Sequence, residues 1–167
     1  MTMSVFDFSM DLPFHNEWSN IEILRTSVQN CLATLFRDVE GCQTIAMVTS
    51  ELLENAVKYG YWSGQDSRFR LRIWGNQEAA HVCVQNPVKP EGNDAATLMS
   101  ILQSIKSYPT AEEAYCAKLL EVAARPRDSH SSGLGLARIA YEGGCALSAE
   151  FAEQILSVTA DIPIEAI

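Results

Sequence analysis

The first part of the chain carries a strand pattern followed by a helix pattern. Residues 4–12 alternate apolar and polar side chains, which favours a short strand. From residue 20 to residue 36 apolar side chains return every three or four positions, which predicts an amphipathic helix with Ser19 or Asn20 as its N-cap. The apolar face of this helix consists of Ile21, Leu24, Val28, Cys31, Leu32 and Leu35.

A second amphipathic helix is predicted over residues 44–59. Glu40 and Gly41 break the pattern before it. Gly60 follows it as a candidate left-handed C-cap, because glycine adopts positive φ without steric cost. The apolar face of the helix consists of Ile45, Val48, Leu52, Ala56 and Tyr59.

Two β-hairpins are predicted, one in the middle of the chain and one at its end. The first strand of the middle hairpin alternates arginines with Phe69, Leu71 and Ile73. Gly75 and Asn76 form its turn, and residues 81–85 form its return strand. Residues 146–151 and 154–160 show the same alternation and predict the terminal hairpin.

Three further helices are predicted between the hairpins. The segment "NPVKPEGND" first interrupts regular structure. A helix over 94–107 then directs Leu98, Ile101, Leu102 and Ile105 inward, and one over 110–124 does the same with Tyr115, Leu119, Leu120 and Val122. The loop "RPRDSHSSG" leads into the last helix, over 134–142.

These elements predict one α+β domain that spans residues 1–167. The strands form antiparallel hairpins and the helices are grouped, so we expect a two-layer sandwich with helices on one face of a mostly antiparallel sheet. A chain of 167 residues can bury a core of its own, and 47% hydrophobic and 20% charged residues are ordinary for a globular protein.

Charge and cysteine content narrow the function classes. A net charge of -9 would repel nucleic-acid phosphates and anionic membranes. The five cysteines include no C-x-x-C pair, so neither a disulfide framework nor a zinc site is indicated. No apolar run reaches the length of a membrane span and no signal-peptide pattern is visible, so we expect a cytoplasmic protein.

A polar stripe borders the apolar face of the second helix. Glu51, Asn55 and Lys58 recur at i, i+4 and i+7. An amide oxygen suits Mg²⁺, an ammonium suits phosphate and a carboxylate can accept a proton, so the stripe could serve a metal–phosphate site. A solvated helix edge is the commoner explanation for Glu and Lys at this spacing. Asn55 argues against it, because asparagine is disfavoured inside a helix.

A pair of glycines marks a later junction between a loop and a helix. The segment "SSGLGLARIAYEGG" contains Ser131, Ser132, Gly133 and Gly135 at this junction. Free N–H groups at a helix start attract anions, and glycine lets a ligand approach the main chain. Simple turn geometry is the alternative, and the known nucleotide-binding loops G-x-x-x-x-G-K-[ST] and G-x-G-x-x-G are absent.

Together, "SELLENAVKYGY" and "SSGLGL" resemble the GHKL ATPase superfamily, which includes histidine kinase catalytic domains, gyrase-type ATPases and Hsp90. Within it, the chain is most similar to small bacterial anti-sigma-factor serine kinases and related partner-switching kinases. The resemblance implies a Bergerat-type sandwich in which ATP binds between the helical layer and a lid. It also implies a homodimer.

The resemblance further implies a role for each motif residue. Asn55 would ligate Mg²⁺ between the nucleotide phosphates, and Glu51 would be the general base for a serine hydroxyl or water. An insertion at about 93–132 would form the lid. The nucleotide would be contacted by Asn55, Lys58, Asn86, Ser132, Gly133, Leu134 and Gly135.

The chain departs from the pattern of the superfamily in three places. The first glycine box, D-x-G-x-G, is replaced by "NPVKP", residues 86–90, where Asn86 can accept a hydrogen bond from adenine but offers no carboxylate. Ser131 stands where the kinases often carry an arginine, for which Arg125 or Arg127 could substitute. The lid contains two amphipathic helices, within 94–124, that could cover the nucleotide site or form a partner surface.

Three function classes stay open. The first is a Mg²⁺·ATP-dependent serine kinase that acts on a small regulatory protein, such as a STAS-type antagonist or a sigma factor. The second is a non-catalytic module of the same fold that has lost ATP binding and regulates a partner by contact. The third is an unrelated α+β interaction protein in which Glu51 and Asn55 are incidental. A sensor histidine kinase is disfavoured, because the sequence shows neither a phosphoacceptor helix nor a sensor domain.

Overall fold

The computed structural model describes residues 6–13, 18–35, 39–63, 67–76, 78–89, 91–124 and 133–164. These ranges contain five strands and five helices. In chain order they are β1 (Phe6–Pro13), α1 (Trp18–Leu35), α2 (Val39–Tyr59), β2 (Arg68–Gly75), β3 (Ala79–Pro87), α3 (Asp94–Lys106), α4 (Ala111–Ala124), α5 (Leu134–Glu142), β4 (Ala146–Ala152) and β5 (Ile155–Pro163).

The strands form one sheet in the order β1-β2-β3-β5-β4, and every neighbouring pair is antiparallel. Side chains alternate between its two faces. Leu71, Val84 and Val158 lie on the buried face, whereas Arg70 and Arg72 are exposed on the other. The helices pack on the buried face only, which confirms the predicted α+β sandwich.

Helix α2 is the centre of the helical layer. Its residues Ile45, Val48 and Leu52 are almost fully buried. It contacts β3 and β5 below it and both α1 and α5 within the layer. Side chains on the flanks of α2 can therefore contact α1 or α5 directly. Within the described ranges, no helix has the length and apolar character needed to cross a bilayer.

Both long helices begin earlier than predicted. Helix α1 starts at Trp18, so Ser19 and Asn20 lie inside its first turn instead of capping it. Helix α2 starts at Val39, so the predicted break at Glu40–Gly41 was wrong. An acidic residue in the first turn interacts favourably with the helix dipole, and tertiary packing outweighs the low helix propensity of one glycine.

The prediction of a left-handed C-cap at Gly60 was also wrong. In the described ranges, the glycines with positive φ are Gly133 and Gly144. A side chain at Gly60 would instead collide with the backbone carbonyl oxygen of Ala56 and with the indole ring of Trp62. That ring is held by a hydrogen bond from its Nε1 to the carbonyl oxygen of Val57, at 3.3 Å. Glycine is required here because the carbonyl and the ring together leave no room for a Cβ.

The hairpins differ from the prediction at their ends. Strand β3 continues through Asn86 and Pro87, two residues beyond its predicted end. In the terminal hairpin Gln154 belongs to the turn instead of the strand, since both Glu153 and Gln154 have positive φ, 52° and 64°. Positive φ at both central positions is the geometry of a tight two-residue hairpin turn.

The inward face of α4 was predicted wrongly. Its buried residues are Ala114 and Lys118, whereas Leu119 and Leu120 are 41% and 73% exposed. Apolar side chains surround this helix, so its periodicity does not select a face. Tyr115 stacks on Tyr141 of α5, with ring centroids 5.7 Å apart. By contrast, α3 buries Leu98, Ile101, Leu102 and Ile105 as predicted.

Candidate functional site

Glu51 and Asn55 lie one turn apart on the same side of α2. Both side chains are half-buried, and Lys58 in the next turn is exposed. Nδ2 of Asn55 donates a hydrogen bond to the carbonyl oxygen of Glu51, at 2.8 Å. This bond turns the amide nitrogen toward the helix, so Oδ1 faces away from the backbone. No described residue donates to that oxygen, which is therefore in a suitable position to ligate a cation.

The carboxylate of Glu51 reaches across to α5. Its Oε1 lies 3.4 Å from Nη1 of Arg138, and the side chain is 18% exposed. Nε of Arg138 also donates to Glu142, at 2.8 Å. Burial raises the pKa of Glu51 above its ordinary value, the nearby carboxylate of Glu54 adds to the rise, and Arg138 opposes it. A carboxylate with a raised pKa is better matched to proton transfer near neutral pH.

The raised pKa of Glu51 implies that the stability of the protein depends on pH. Since the folded protein holds the Glu51 proton more tightly than the unfolded chain, the contribution of Glu51 to the free energy of unfolding falls as pH rises above about 4.5. Glu51→Gln keeps the shape of the side chain without the charge. We expect this variant to be more stable than the wild type at pH 8 by about 0.5–2 kcal/mol, the usual gain from one stabilising substitution.

Urea unfolding at pH 5 and pH 8 measures this difference. The advantage of the glutamine variant should shrink on going from pH 8 to pH 5, because other titrating groups cancel between the two proteins. An advantage that stayed constant, or grew at pH 5, would contradict the assigned direction of the Glu51 shift.

The absence of a side chain at Gly135 leaves the space that the carboxylate of Glu51 occupies. Gly135 is the second residue of α5, and a Cβ built on it would overlap Oε2 of Glu51. Any side chain at 135 would displace the carboxylate. The two sequence motifs, one on α2 and one at the start of α5, therefore meet in a single contact.

Gly133 has a different structural role from Gly135. It precedes Leu134, the first residue of α5, with φ 67° and ψ 11°, which is the left-handed region. A Cβ at Gly133 would overlap the Cγ2 of Ile101 on α3. Turn geometry and the packing of α3 thus both require glycine at 133, whereas close approach of the carboxylate requires it at 135. The N–H of Ala137 donates to the carbonyl oxygen of Gly133, at 3.1 Å, in the first turn of α5. The N-terminal end of a helix carries partial positive charge, which favours an anion there.

Asn86 lies at the other end of the expected nucleotide site. It is 2% exposed and lies on the same face of β3 as Val82 and Val84, toward the helices. Its Nδ2 donates to the carbonyl oxygen of Pro87, at 3.2 Å, and no described residue donates to its Oδ1. The amide thus faces the helical layer at the strand end, where the resemblance implies contact with adenine.

The segment that replaces the first glycine box is bound tightly to its neighbours. Pro87 pairs with Ile155 of β5, and its carbonyl oxygen accepts from the N–H of Tyr61 at 2.7 Å. Val88 is 2% exposed, and its N–H donates to Gln154 at 2.9 Å. At the position where the motif resemblance implies a glycine box, β3 extends through Pro87 and pairs with β5.

The predicted site residues fall into three groups. Glu51 and Gly135 are in contact, and Asn55 lies one turn from Glu51 on α2. Among the described residues, neither Lys58 nor Asn86 forms a hydrogen bond or ion pair with these three. Burial lowers the pKa of Lys58, and its Nζ lies 5.4 Å from the ring centroid of Tyr59. Ser131 and Ser132, with the candidate arginines Arg125 and Arg127, lie outside the described residues.

Two residues of the site were missed by the sequence analysis. Arg138, the partner of Glu51, lies one turn after Gly135 on α5, so the i, i+3 spacing of a helix could have placed both on one face. Ile101, which packs on Gly133, was predicted to be buried, but nothing in the sequence indicates against what.

The donor set is compatible with a magnesium ion carried by a nucleotide. In the described ranges no three His, Cys, Asp or Glu side chains gather in a way that could hold a metal. Magnesium in such sites usually takes one or two protein ligands and completes its shell with phosphates and water. The oxygen of Asn55 could supply one ligand, and the N-terminal end of α5 could receive the phosphates.

Comparison with solved structures reveals a similar fold. A chain of the crystal structure of the SiaB-SiaC complex from Pseudomonas aeruginosa matches with a TM-score of 0.65 and 22% identity, over 95% of this chain and 89% of that chain. This likeness shows that the two chains share a fold, which agrees with the fold that the motif resemblance implies. The nucleotide-free catalytic domain of histidine kinase ThkA matches more weakly, with a TM-score of 0.47 and 14% identity over 94% of this chain and 98% of that one. No protein family and no curated protein matches the sequence.

Proposed function

We propose that this protein is a regulator of the partner-switching type, which binds Mg²⁺·ATP between the helical layer and the lid and phosphorylates a serine on a small antagonist protein. The observation that carries the proposal is the contact of Glu51 with Gly135, one turn before Asn55. This contact places Glu51, the candidate base, against the start of α5, the candidate phosphate site. Asn55, the candidate metal ligand, follows Glu51 by one turn on α2. The shared fold with a chain from a two-protein complex is consistent with a protein partner.

Each residue has a physical role in this proposal. Asn55 presents an amide oxygen to magnesium, and the main chain at Gly133, Leu134 and Gly135 faces the phosphates. Glu51 takes the proton of the attacking hydroxyl. Lys58, Ser132 and Asn86 would complete the nucleotide site, with Asn86 at the adenine. Bound magnesium would neutralise phosphate charge. The chain would be one ATPase-type domain, with residues 93–132 as its lid.

A non-catalytic regulator of the same fold is the second candidate. Two observations favour it. Ile101 of the lid helix α3 packs directly on Gly133, and the segment from Asn86 to Val88 is built into the sheet instead of opening as a glycine loop. Such a protein would keep the scaffold, bind ATP weakly or not at all, and regulate a partner by contact.

Calorimetric titration with ATP, with and without Mg²⁺, separates the two candidates. We expect magnesium-dependent binding by the wild type and at least a tenfold loss of affinity in Asn55→Ala, because the amide oxygen is the metal ligand. Folding should survive, since alanine is the better helix former. The matched control is Asn30→Ala, the same change on the exposed side of α1, which should bind like the wild type.

Two results would count against this proposal, each at a different point. Absence of binding at millimolar ATP would exclude kinase activity and favour the contact-only regulator. Magnesium-dependent binding that is unchanged in Asn55→Ala would remove Asn55 from the metal site.

A further inference from the structure

A polar cleft of about 730 Å³ lies between α1, α2 and α5. Arg25 and Gln29 of α1 line one side, and Arg138 and Glu142 of α5 line the other. Its base is the outer surface of α2, which faces away from the sheet. We refer to this feature as the α1–α2–α5 groove.

Glu51 belongs both to this groove and to the start of α5. It is among the residues that line the groove, and its Oε2 rests against Gly135. A molecule in the groove could therefore reach the same carboxylate that faces the proposed phosphate end. The groove is also open to solvent along α2, so a peptide segment could enter it without unfolding any helix.

The groove carries more negative than positive charge. Its lining includes two arginines, and both already bind carboxylates: Arg25 binds Glu22 at 2.7 Å and Arg138 binds Glu142 at 2.8 Å. Glu54 is exposed and has no ion-pair partner among the described residues. The charged lining residues are Arg25, Glu40, Glu51, Glu54, Arg138 and Glu142. Such a surface repels a nucleotide and attracts a cationic segment.

We propose that the α1–α2–α5 groove receives a basic peptide segment of the partner protein and delivers its hydroxyl to Glu51. This inference rests on the proposed kinase function and names its substrate class: a serine with lysine or arginine beside it. In the transfer, the hydroxyl oxygen forms a bond to the γ-phosphorus of ATP. The bond from that phosphorus to the ADP oxygen breaks, ADP keeps the electron pair, and the hydroxyl proton passes to Glu51.

Binding of two labelled peptides tests the charge preference without any nucleotide. Both peptides have the same length and one central serine; lysines flank it in one and glutamates in the other. Fluorescence anisotropy at low salt should show the basic peptide binding at least tenfold more tightly. Glu54→Lys should weaken that binding by about tenfold, since it reverses an exposed charge at the base of the groove. Glu54 is exposed, so the variant is expected to fold.

Glu150→Lys is the matched control. Glu150 is exposed on β4, and this variant makes the same charge change on the sheet instead of in the groove. It should bind the basic peptide like the wild type, and amide NMR shifts on binding should concentrate at Gln29, Met47 and Ser50. Equal affinity for both peptides, equal losses in the two variants, or shifts elsewhere would overturn the proposal. Because no ATP is present, a negative ATP titration would reject the kinase function independently of this result.

Discussion

In the proposed kinase, replacement of Glu51 by alanine should lower the rate of phosphoryl transfer from Mg²⁺·ATP by roughly 10²–10⁴-fold, the usual contribution of a general base. ATP affinity should stay close to that of the wild type, because Asn55 and the start of α5 are retained. In the absence of the protein partner, the same base would activate water. Release of phosphate from ATP therefore provides a readout that needs only this chain.

Glu150→Ala removes the same charge from an exposed position on the sheet and should hydrolyse ATP at the wild-type rate. Glu51→Gln separates charge from shape: it should be as slow as the alanine variant, since an amide cannot accept the proton. If either Glu51 variant hydrolysed ATP as fast as the wild type, Glu51 would not be the base, even if ATP still bound.

Gly133→Ala should lower the free energy of unfolding by about 2–5 kcal/mol, which is the sum of a left-handed backbone penalty and overpacking. The first part arises because φ at this position is 67°. The second arises because the added Cβ overlaps Ile101. Urea unfolding of the two proteins measures the difference.

Gly144→Ala isolates the backbone part. Gly144 also has positive φ, 57°, but a Cβ there would meet only Pro163, at 3.9 Å. This variant should lose only about 1–2 kcal/mol, the cost of the left-handed conformation alone. In an Ile101→Ala background, the cost of Gly133→Ala should fall toward that of Gly144→Ala. Equal losses at 133 and 144 in the wild-type background would show that α3 does not pack on Gly133.

Most of the fold could be predicted because its elements carry strong periodicity. The alternation of Phe69, Leu71 and Ile73 and the helical spacing from Ile45 to Tyr59 each select one buried face, and each was confirmed. The prediction failed at α4, where apolar side chains occur all round the helix and packing alone chose Ala114. It also failed at Gly60, because the packing of the Ala56 carbonyl and the Trp62 ring against this position, and not a left-handed backbone, requires the glycine.

The candidate site could be predicted in part, because one of its residues conflicts with the local sequence pattern. Asn55 stood out because it contradicts the preference of its own helix, and such local conflicts are often functional. The contact between Glu51 and Gly135 was not predictable, since it depends on how close α2 and α5 approach in three dimensions. Arg138 was missed because one arginine on a helix surface is ordinary in sequence and acquires a role only from its neighbour.

The contact of Glu51 with Gly135 also ties the two positions together in evolution. Oε2 is the free end of a flexible side chain, so a larger residue at 135 would leave the fold intact but move the carboxylate. Among homologues that keep the acid in its present position, we therefore expect glycine at 135.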